Sequence, residues 1–227
     1  MVKQLITQHI AKHTYPQTVF AKAISAQLTT TNNIVLLDAP CGNGETTWHL
    51  AQHASNLVVY GYDLDGASIA RANSNFKATN LTYAVNDVHQ AIAQHNPIYY
   101  ICIINSIFLL PNPEALLTTA YQKLSSGGKL FVLIPNTAGR NYQYFEQSGQ
   151  AHVNNLVIHQ PHITTWFASI GLAVSSVTPI AYAHHYNRTD TKFMSVLAHY
   201  YLNVLNSIQT ALKIGTPNYL LITVNKA

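Results

Sequence analysis

Two kinds of apolar spacing alternate along this chain, and they predict strands and helices in turn. Short runs rich in β-branched and aromatic residues are typical of strands, at residues 34–38, 57–63, 81–85, 98–104, 129–134, 172–181 and 219–224. The segments between or before them place apolar residues at helical spacing, at residues 4–13, 16–29, 44–54, 67–76, 88–94, 112–125, 160–170 and 190–214. Strands joined by helical crossovers run parallel, so we expect a doubly wound α/β sheet with helices on both faces.

Three carboxylates mark the ends of the first three predicted strands. Asp38 ends the first strand, Asp63 ends the second, and Asp87 closely follows the third. Because parallel strands bring their C-terminal ends to one edge of a sheet, these acids should lie close together, where α/β sheets bind ligands. The residues after Asp38, Cys41-Gly42-Asn43-Gly44, predict a tight turn whose backbone N–H groups face that ligand.

The charges around this glycine turn favour a cationic ligand over a phosphorylated one. Asp38 precedes the turn, Glu45 follows Gly44, and Thr47 occupies the position where a dinucleotide-binding turn has its third glycine. Two carboxylates here would repel a pyrophosphate, so we expect a ligand with a positive amino group. Asp63 lies about 20 residues beyond the turn, where a dinucleotide site has its ribose-binding acid, so an NAD-dependent oxidoreductase stays open as the alternative.

The composition and the distribution of charge argue against some kinds of binding partner. Charged residues make up 9% of the chain, against roughly 25% in an average globular protein. The net charge is +4, yet the basic residues are scattered singly, which argues against a nucleic-acid partner. Two cysteines in predicted core segments indicate reduced thiols. The N-terminus lacks an apolar signal segment, and the most apolar run is too short to span a bilayer, so we expect a cytoplasmic protein with no membrane partner.

Three segments resemble the motifs of a known family. Residues 35–44 read Val-Leu-Leu-Asp-Ala-Pro-Cys-Gly-Asn-Gly and resemble the first motif of class I S-adenosylmethionine-dependent methyltransferases, L-D-x-G-x-G-x-G. Residues 59–65 look like the second motif, residues 85–88 look like the third, and the similarity continues to residue 136. Pro40 replaces the leading glycine of the first motif, so the turn lacks one backbone donor. The resemblance implies a Rossmann-like, seven-stranded, mostly parallel sheet with an antiparallel last strand.

The same resemblance implies the cofactor and its contacts. The cofactor would be S-adenosylmethionine, and the product S-adenosylhomocysteine. Asp63 would accept hydrogen bonds from both ribose hydroxyls, Asp87 would accept from the adenine amino group, and the Val88 N–H would meet a ring nitrogen. The cofactor-binding residues carried over in this way are Asp38, Ala39, Gly42, Gly44, Asp63, Leu64, Asp87, Val88 and Asn105.

We expect the whole chain, residues 1–227, to form a single domain. Residues 1–30 would form a helical lid and residues 33–136 the cofactor-binding core. Residues 137–217 would form the substrate side with an insertion helix, and residues 218–227 the last strand. The sequence leaves the oligomeric state open.

The candidates for catalysis and acceptor binding lie outside the motifs. Methyl transfer from a sulfonium is an in-line displacement, so the main task is to align the nucleophile with the methyl group. If the nucleophile arrives protonated, His184 and His185 after the sixth strand are the candidate bases. The candidate substrate-binding residues are Tyr15, Tyr142, His162 and Tyr186, and Phe20 is a further candidate for the lid. Histidine pairs four residues apart lack a third ligand nearby, so no metal is expected.

The expected function is methyl transfer to an oxygen, nitrogen or carbon atom of a small molecule. A nucleic-acid methyltransferase fits less well, because residues 104–107 read Ile-Asn-Ser-Ile and not the N-P-P-Y type of sequence that holds a flipped base. Two further hypotheses stay open. One is a binding module that keeps the nucleoside pocket without turnover, and the other is an enzyme that uses the sulfonium as a fixed charge.

Overall fold

A computed structural model describes residues 14–29, 34–53, 56–140, 142–143, 160–183 and 193–227. Its strands are β1 (Ile34–Asp38), β2 (Leu57–Asp63), β3 (Leu81–Val85), β4 (Ile98–Ile104), β5 (Leu124–Pro135), β6 (Val174–Ile180) and β7 (Tyr219–Asn225). Its helices are α1 (Gln17–Ser25), α2 (Glu45–His53), α3 (Gly66–Asn75), α4 (Val88–Gln94), α5 (Pro113–Lys123), α6 (Gln160–Ser169) and α7 (Phe193–Leu212). A short 3₁₀ helix, Ile107–Leu109, follows β4.

The strands form one seven-stranded sheet in the order β3-β2-β1-β4-β5-β7-β6. Strands β1 to β5 pair in parallel, whereas β7 is antiparallel to both of its neighbours. This arrangement confirms the predicted mostly parallel sheet with an antiparallel last strand. The chain leaves β1 toward β2 and later returns to place β4 on the other side of β1. This reversal opens a crevice at the C-terminal ends of β1 and β4, the position at which such sheets bind ligands.

Helices cover both faces of the sheet, as predicted. Neighbouring residues of a strand point to opposite faces, and Leu36 and Leu37 of β1 accordingly belong to different hydrophobic clusters. The Leu37 cluster contains apolar residues of α4, α5 and α6. The Leu36 cluster contains apolar residues of α1 and α2. Burial on both faces explains why the central strands have almost uninterrupted apolar sequences.

The N-terminal helix α1 lies close to the strand ends. Its residues Phe20, Ala21 and Ile24 are buried in the Leu36 cluster, and the Phe20 ring meets the Tyr219 ring edge-on at 4.8 Å. The role of residues 1–30 as a lid stays a prediction. The other predicted lid helix, residues 4–13, lies outside the described residues. No helix in the described ranges has both the length and the apolar content that crossing a bilayer requires.

One predicted strand start was wrong. Strand β5 begins at Leu124, five residues before the predicted start, because Leu124 pairs with Ile98 ahead of a register shift in the ladder. Asn112, at the start of the predicted helix, occupies the N-cap position of α5. Its backbone is left-handed, with φ 48°, and its side chain makes no cap hydrogen bond. Residues 190–192, where the last long helix was predicted to begin, lie outside the described residues.

Candidate active site

A cavity of about 570 Å³ opens at the C-terminal ends of the first four strands. Its lining includes eight of the nine residues predicted to bind the cofactor: Asp38, Gly42, Gly44, Asp63, Leu64, Asp87, Val88 and Asn105. The ninth, Ala39, is not part of the lining. Its side chain is buried in the core and its backbone N–H donates to the Cys102 carbonyl in the sheet. The predicted convergence of the three acids on one cavity is therefore present.

The glycine turn between β1 and α2 is shaped by two left-handed residues, Gly42 with φ +54° and Gly44 with φ +80°. A Cβ on Gly44 would lie 2.7 Å from both the Ala72 side chain and the Tyr83 ring. The Tyr83 hydroxyl donates to the Gly44 carbonyl oxygen at 2.6 Å. Only glycine fits here, because the backbone conformation and the space both exclude a side chain.

Tyr83 is a structural support of the site that the sequence motifs did not reveal. Its ring also packs so closely on Gly61 of β2 that a Cβ there would lie 2.5 Å from it. Burial raises the pKa of the Tyr83 hydroxyl, so this group stays a hydrogen-bond donor. In the sequence, Gly61 is the residue that could have indicated this contact, since a glycine inside a strand often marks a close approach by another group.

Asp38 lines the cavity and has one unused carboxylate oxygen. The side chain is buried, and its Oδ2 accepts a hydrogen bond from the Thr47 hydroxyl at 2.6 Å. Its Oδ1 has no hydrogen-bond partner among the described residues. Burial raises the pKa of Asp38 to about 7, the Thr47 hydrogen bond opposes this shift, and the nearby charge of Asp63 adds to it. An oxygen in this state favours a ligand that brings a donor or a positive charge.

Asp63 fixes the glycine turn against the end of β2. Its Oδ2 accepts from the Gly42 N–H at 2.8 Å, and its Oδ1 accepts from the Asp65 N–H at 2.9 Å. A carboxylate oxygen has two lone pairs, so both oxygens keep acceptor capacity for a ligand. The half-buried Asp63 can therefore position the turn and bind a pair of hydroxyls at once.

The third acid, Asp87, caps the short helix α4. Its side chain accepts from the His89 N–H at 2.8 Å, and the next residue, Val88, is buried at the start of α4 and lines the cavity. Asp65, the other acid of the second motif, has a different role. It is exposed and caps α3 by accepting from the Ala67 and Ser68 N–H groups.

Glu45 belongs to the cavity wall but its carboxylate is already engaged. The Thr14 N–H donates to Glu45 Oε1 at 2.6 Å, and the Thr14 hydroxyl lies 2.7 Å from Oε2. Glu45 therefore ties the start of the N-terminal helical segment to the first turn of α2. The partner lies 31 residues earlier in the chain, which is why the sequence pattern, with Glu45 beside the glycine turn, suggested a ligand contact instead.

Two residues that directly follow β4 each have a further unused oxygen. Asn105 Oδ1 and Ser106 Oγ are both buried without a hydrogen-bond partner in the described part of the chain. Both residues line the cavity. Asn105 has a left-handed backbone, with φ 51°, a conformation that non-glycine residues adopt rarely and often at functional sites.

The predicted substrate-binding residues within the described ranges do not line the cavity. Tyr15 is fully buried, and its hydroxyl donates to the Ala183 carbonyl at 2.5 Å, so it joins the N-terminal segment to the end of β6. Tyr142 is half-buried and His162 is exposed on α6, and neither is among the lining residues. The cavity lining contains Gln17, Phe20, Leu109, Leu110 and Pro111 instead. His184, His185 and Tyr186 lie outside the described residues.

The thiols near the site are not reactive nucleophiles. Cys41 lines the cavity, and burial raises the pKa of its thiol, with the charges of Asp38 and Asp63 adding to the effect. Burial also raises the pKa of Cys102 in β4. A thiol of this kind stays protonated and is a weak nucleophile. Within the described ranges, no three His, Cys, Asp or Glu side chains converge as a metal site.

Comparisons with known proteins agree with the geometry. Over 183 residues, the chain is 26% identical to a ubiquinone biosynthesis O-methyltransferase of Coxiella burnetii, covering 74% of this chain and 76% of that protein. It is 29% identical over 100 residues to a trans-aconitate 2-methyltransferase of Deinococcus radiodurans, covering 44% of this chain and 37% of that protein.

Solved structures show the same fold. Magnesium protoporphyrin IX methyltransferase from Synechocystis PCC 6803, solved with bound S-adenosylhomocysteine, aligns with a TM-score of 0.59. The alignment covers 96% of this chain and 84% of that one, at 11% sequence identity. The family profile described as a methyltransferase domain matches residues 12–177. The chain therefore belongs to the methyltransferase-domain family and is an S-adenosylmethionine-dependent methyltransferase.

Proposed function

We propose that this protein transfers the methyl group of S-adenosylmethionine to a hydroxyl oxygen of a small molecule. One observation carries the proposal: three strand-end acids and a glycine turn share one cavity, and a buried Asp38 oxygen there has no hydrogen-bond partner among the described residues. A volume of about 570 Å³ also lies within the usual range for small-molecule sites.

The polar groups of the cavity match those of the cofactor. Its ammonium group suits the unused oxygens of Asp38 and Asn105, because both are acceptors and one belongs to a carboxylate. Its ribose hydroxyls suit Asp63, and its adenine amino group suits Asp87, beside the buried Val88. The cofactor supplies a methyl group that a sulfonium activates for displacement. The chain's own task is then to orient the acceptor and exclude water.

The choice of oxygen rests on the similarity to a ubiquinone biosynthesis O-methyltransferase, which extends over 74% of this chain. His184 and His185 remain the proposed bases for a hydroxyl acceptor, and Tyr186 a proposed acceptor contact. They follow Ala183, whose carbonyl accepts from the Tyr15 hydroxyl and from Asn218 Nδ2. These two hydrogen bonds fix the point from which that segment starts.

Mass spectrometry of labelled products tests this function. Purified protein is incubated with a small-molecule extract and a limiting concentration of S-adenosylmethionine that carries a deuterated methyl group. Asp63→Ala, with its weaker cofactor binding, is the control. We expect a labelled methyl ether whose yield falls in the control. A labelled amine or carbon centre would overturn the choice of oxygen, and label in RNA or DNA would overturn the small-molecule acceptor. Bound cofactor without any labelled product would identify a non-catalytic binding module.

A further inference from the structure

Ser106 has an unexplained hydroxyl group. The residue is 8% exposed and lines the cavity directly after β4. Its Oγ has no hydrogen-bond partner within the described ranges. A buried hydroxyl without a partner is costly, so such groups usually have either a local structural role or a ligand.

The Ser106 side chain does not cap the helix that follows it. Ser106 occupies the N-cap position of the 3₁₀ helix Ile107–Leu109, where a serine normally accepts a hydrogen bond from a backbone N–H. Its side chain makes no such bond. The turn is closed by the backbone instead, because the Leu109 N–H donates to the Ser106 carbonyl at 2.8 Å. Capping of this helix therefore does not account for the Ser106 hydroxyl.

The surroundings of Ser106 differ from those of the three acids. The segment that follows it provides the apolar residues Leu109, Leu110 and Pro111 to the cavity wall, and Phe20 of α1 lines the same cavity. The acids that suit the nucleoside follow β1, β2 and β3, whereas Ser106 follows β4, on the other side of β1. This end of the cavity suits an apolar molecule with a hydroxyl group.

The charges of the cavity limit that molecule further. The lining contains the carboxylates Asp38, Glu45, Asp63 and Asp87, and no Lys or Arg is found among its described residues. An anionic acceptor would meet several carboxylates and no Lys or Arg side chain of the described lining. The cavity therefore favours an acceptor without a negative charge.

We propose that Ser106 Oγ binds the hydroxyl group of the methyl acceptor and that the acceptor is an uncharged, apolar hydroxyl compound, for which a phenol serves as the probe. This inference rests on the proposed function and narrows it to one acceptor class. A hydroxyl can accept the acceptor's O–H and donate in return, whereas Asp38 Oδ1 and Asn105 Oδ1 only accept when Asp38 is ionised. Ser106 is a positioning residue that orients the nucleophilic oxygen.

Calorimetry with two matched phenols tests this inference without requiring turnover. The probes are 4-methylcatechol and 3,4-dihydroxybenzoate, which carry the same hydroxyl pair and differ in charge. Each is titrated into the full chain saturated with S-adenosylhomocysteine, for wild type, Ser106→Ala, Ser106→Thr and Ser25→Ala. Ser25 is the matched control, because its hydroxyl is also buried without a hydrogen-bond partner among the described residues and lies outside the cavity lining.

We expect 4-methylcatechol to bind wild type at least about tenfold more tightly than 3,4-dihydroxybenzoate, since a buried charge without a partner costs more than this. Ser106→Ala should weaken 4-methylcatechol binding about tenfold, the effect of one lost hydrogen bond at a buried site. Ser106→Thr and Ser25→Ala should bind it as wild type does. The affinity for S-adenosylhomocysteine should be the same in all four proteins.

Three results would overturn the inference: equal binding of 4-methylcatechol by wild type and Ser106→Ala, equal or tighter binding of the anion, or no binding of either phenol. In each case S-adenosylhomocysteine still binds, so the proposed function survives. Failure of wild type to bind S-adenosylhomocysteine would instead refute the proposed function together with this inference.

Discussion

At the scale of single residues, burial gives Asp38 an unusual acid–base behaviour. Its pKa is raised to about 7, mainly by burial, from an ordinary value of 3.8. The folded protein therefore binds one more proton than the unfolded chain between these two pH values, so stability falls as pH rises through this range. Ionised Asp38 is the form that a cationic ligand favours. The buried Asp38 thus lowers the stability of the fold at neutral pH and at the same time supplies a carboxylate for a cationic ligand. Functional sites often combine these two effects.

Replacing Asp38 with asparagine tests this pH dependence. The amide keeps an oxygen that can accept from Thr47 but cannot ionise, so Asp38→Asn should remove the fall in stability between about pH 4 and pH 7. At pH 8 the variant should be more stable than wild type by a few kcal/mol at most. Urea unfolding at pH 5 and pH 8 measures both effects. Equal pH profiles for the two proteins would contradict the buried, protonated state.

A second prediction for a single residue concerns the contribution of Asp63 to cofactor binding. Asp63→Ala removes the acceptors for the ribose hydroxyls and releases the Gly42 N–H, so the affinity for S-adenosylhomocysteine should fall at least about tenfold, or 1.4 kcal/mol. Calorimetry measures the change. The control is Asp65→Ala, which removes an exposed helix cap outside the cavity lining and should leave the affinity unchanged. Unchanged affinity in Asp63→Ala would show that the ribose binds elsewhere.

The sequence reveals the acids of the site but not which of their atoms are in use. Asp38, Asp63 and Asp87 follow apolar runs, so their common edge follows from the direction of parallel strands. Glu45 has the same local signature, yet Thr14 engages it. The unused oxygens of Asp38, Asn105 and Ser106 depend on contacts between distant segments, and local pattern carries no information about these.

At the scale of elements, the glycine turn depends on its neighbours in the sheet. Gly42 and Gly44 both have left-handed backbones, but only Gly44 is crowded, by Ala72 and Tyr83. The turn is therefore held by α3 and β3 as well as by its own conformation. This difference between two glycines of one turn gives a matched comparison.

We expect Gly44→Ala to lower the free energy of unfolding by about 2 to 4 kcal/mol, because backbone strain and overpacking add. Gly42→Ala should cost about 1 kcal/mol, because a Cβ there meets nothing within 4 Å and only the left-handed strain remains. Urea denaturation of both variants gives the two values. A Gly42→Ala variant as unstable as Gly44→Ala would contradict the role of Tyr83.

The strands and helices differ in how well the sequence predicts them. The observed bounds of β2, β3, α4 and β4 are those predicted, because each is a short apolar or amphipathic run between polar residues. Strand β5 starts earlier than its apolar run, since Gly127 and Gly128 pair with Lys226 across the sheet. Two glycines signal a turn locally, and only the tertiary pairing extends the strand through them.

At the scale of the whole molecule, the order of the strands in the sheet brings the residues of the site together. Acids that lie 25 and 24 residues apart in the chain come together because β3, β2 and β1 are neighbours and parallel. The strand β4 adds Asn105 and Ser106 from the other side of β1. Strand order was predictable only through the family resemblance, because residue patterns give strands and their direction but not their neighbours.

The central claim is that this cavity binds a cationic nucleoside and not a phosphorylated dinucleotide. Calorimetric titration of the full chain with S-adenosylhomocysteine and, separately, with NADH tests it most directly. We predict saturable one-to-one binding of S-adenosylhomocysteine and no detectable binding of NADH, because the carboxylates around the glycine turn repel phosphate groups. Binding of NADH in the absence of S-adenosylhomocysteine binding would contradict the claim.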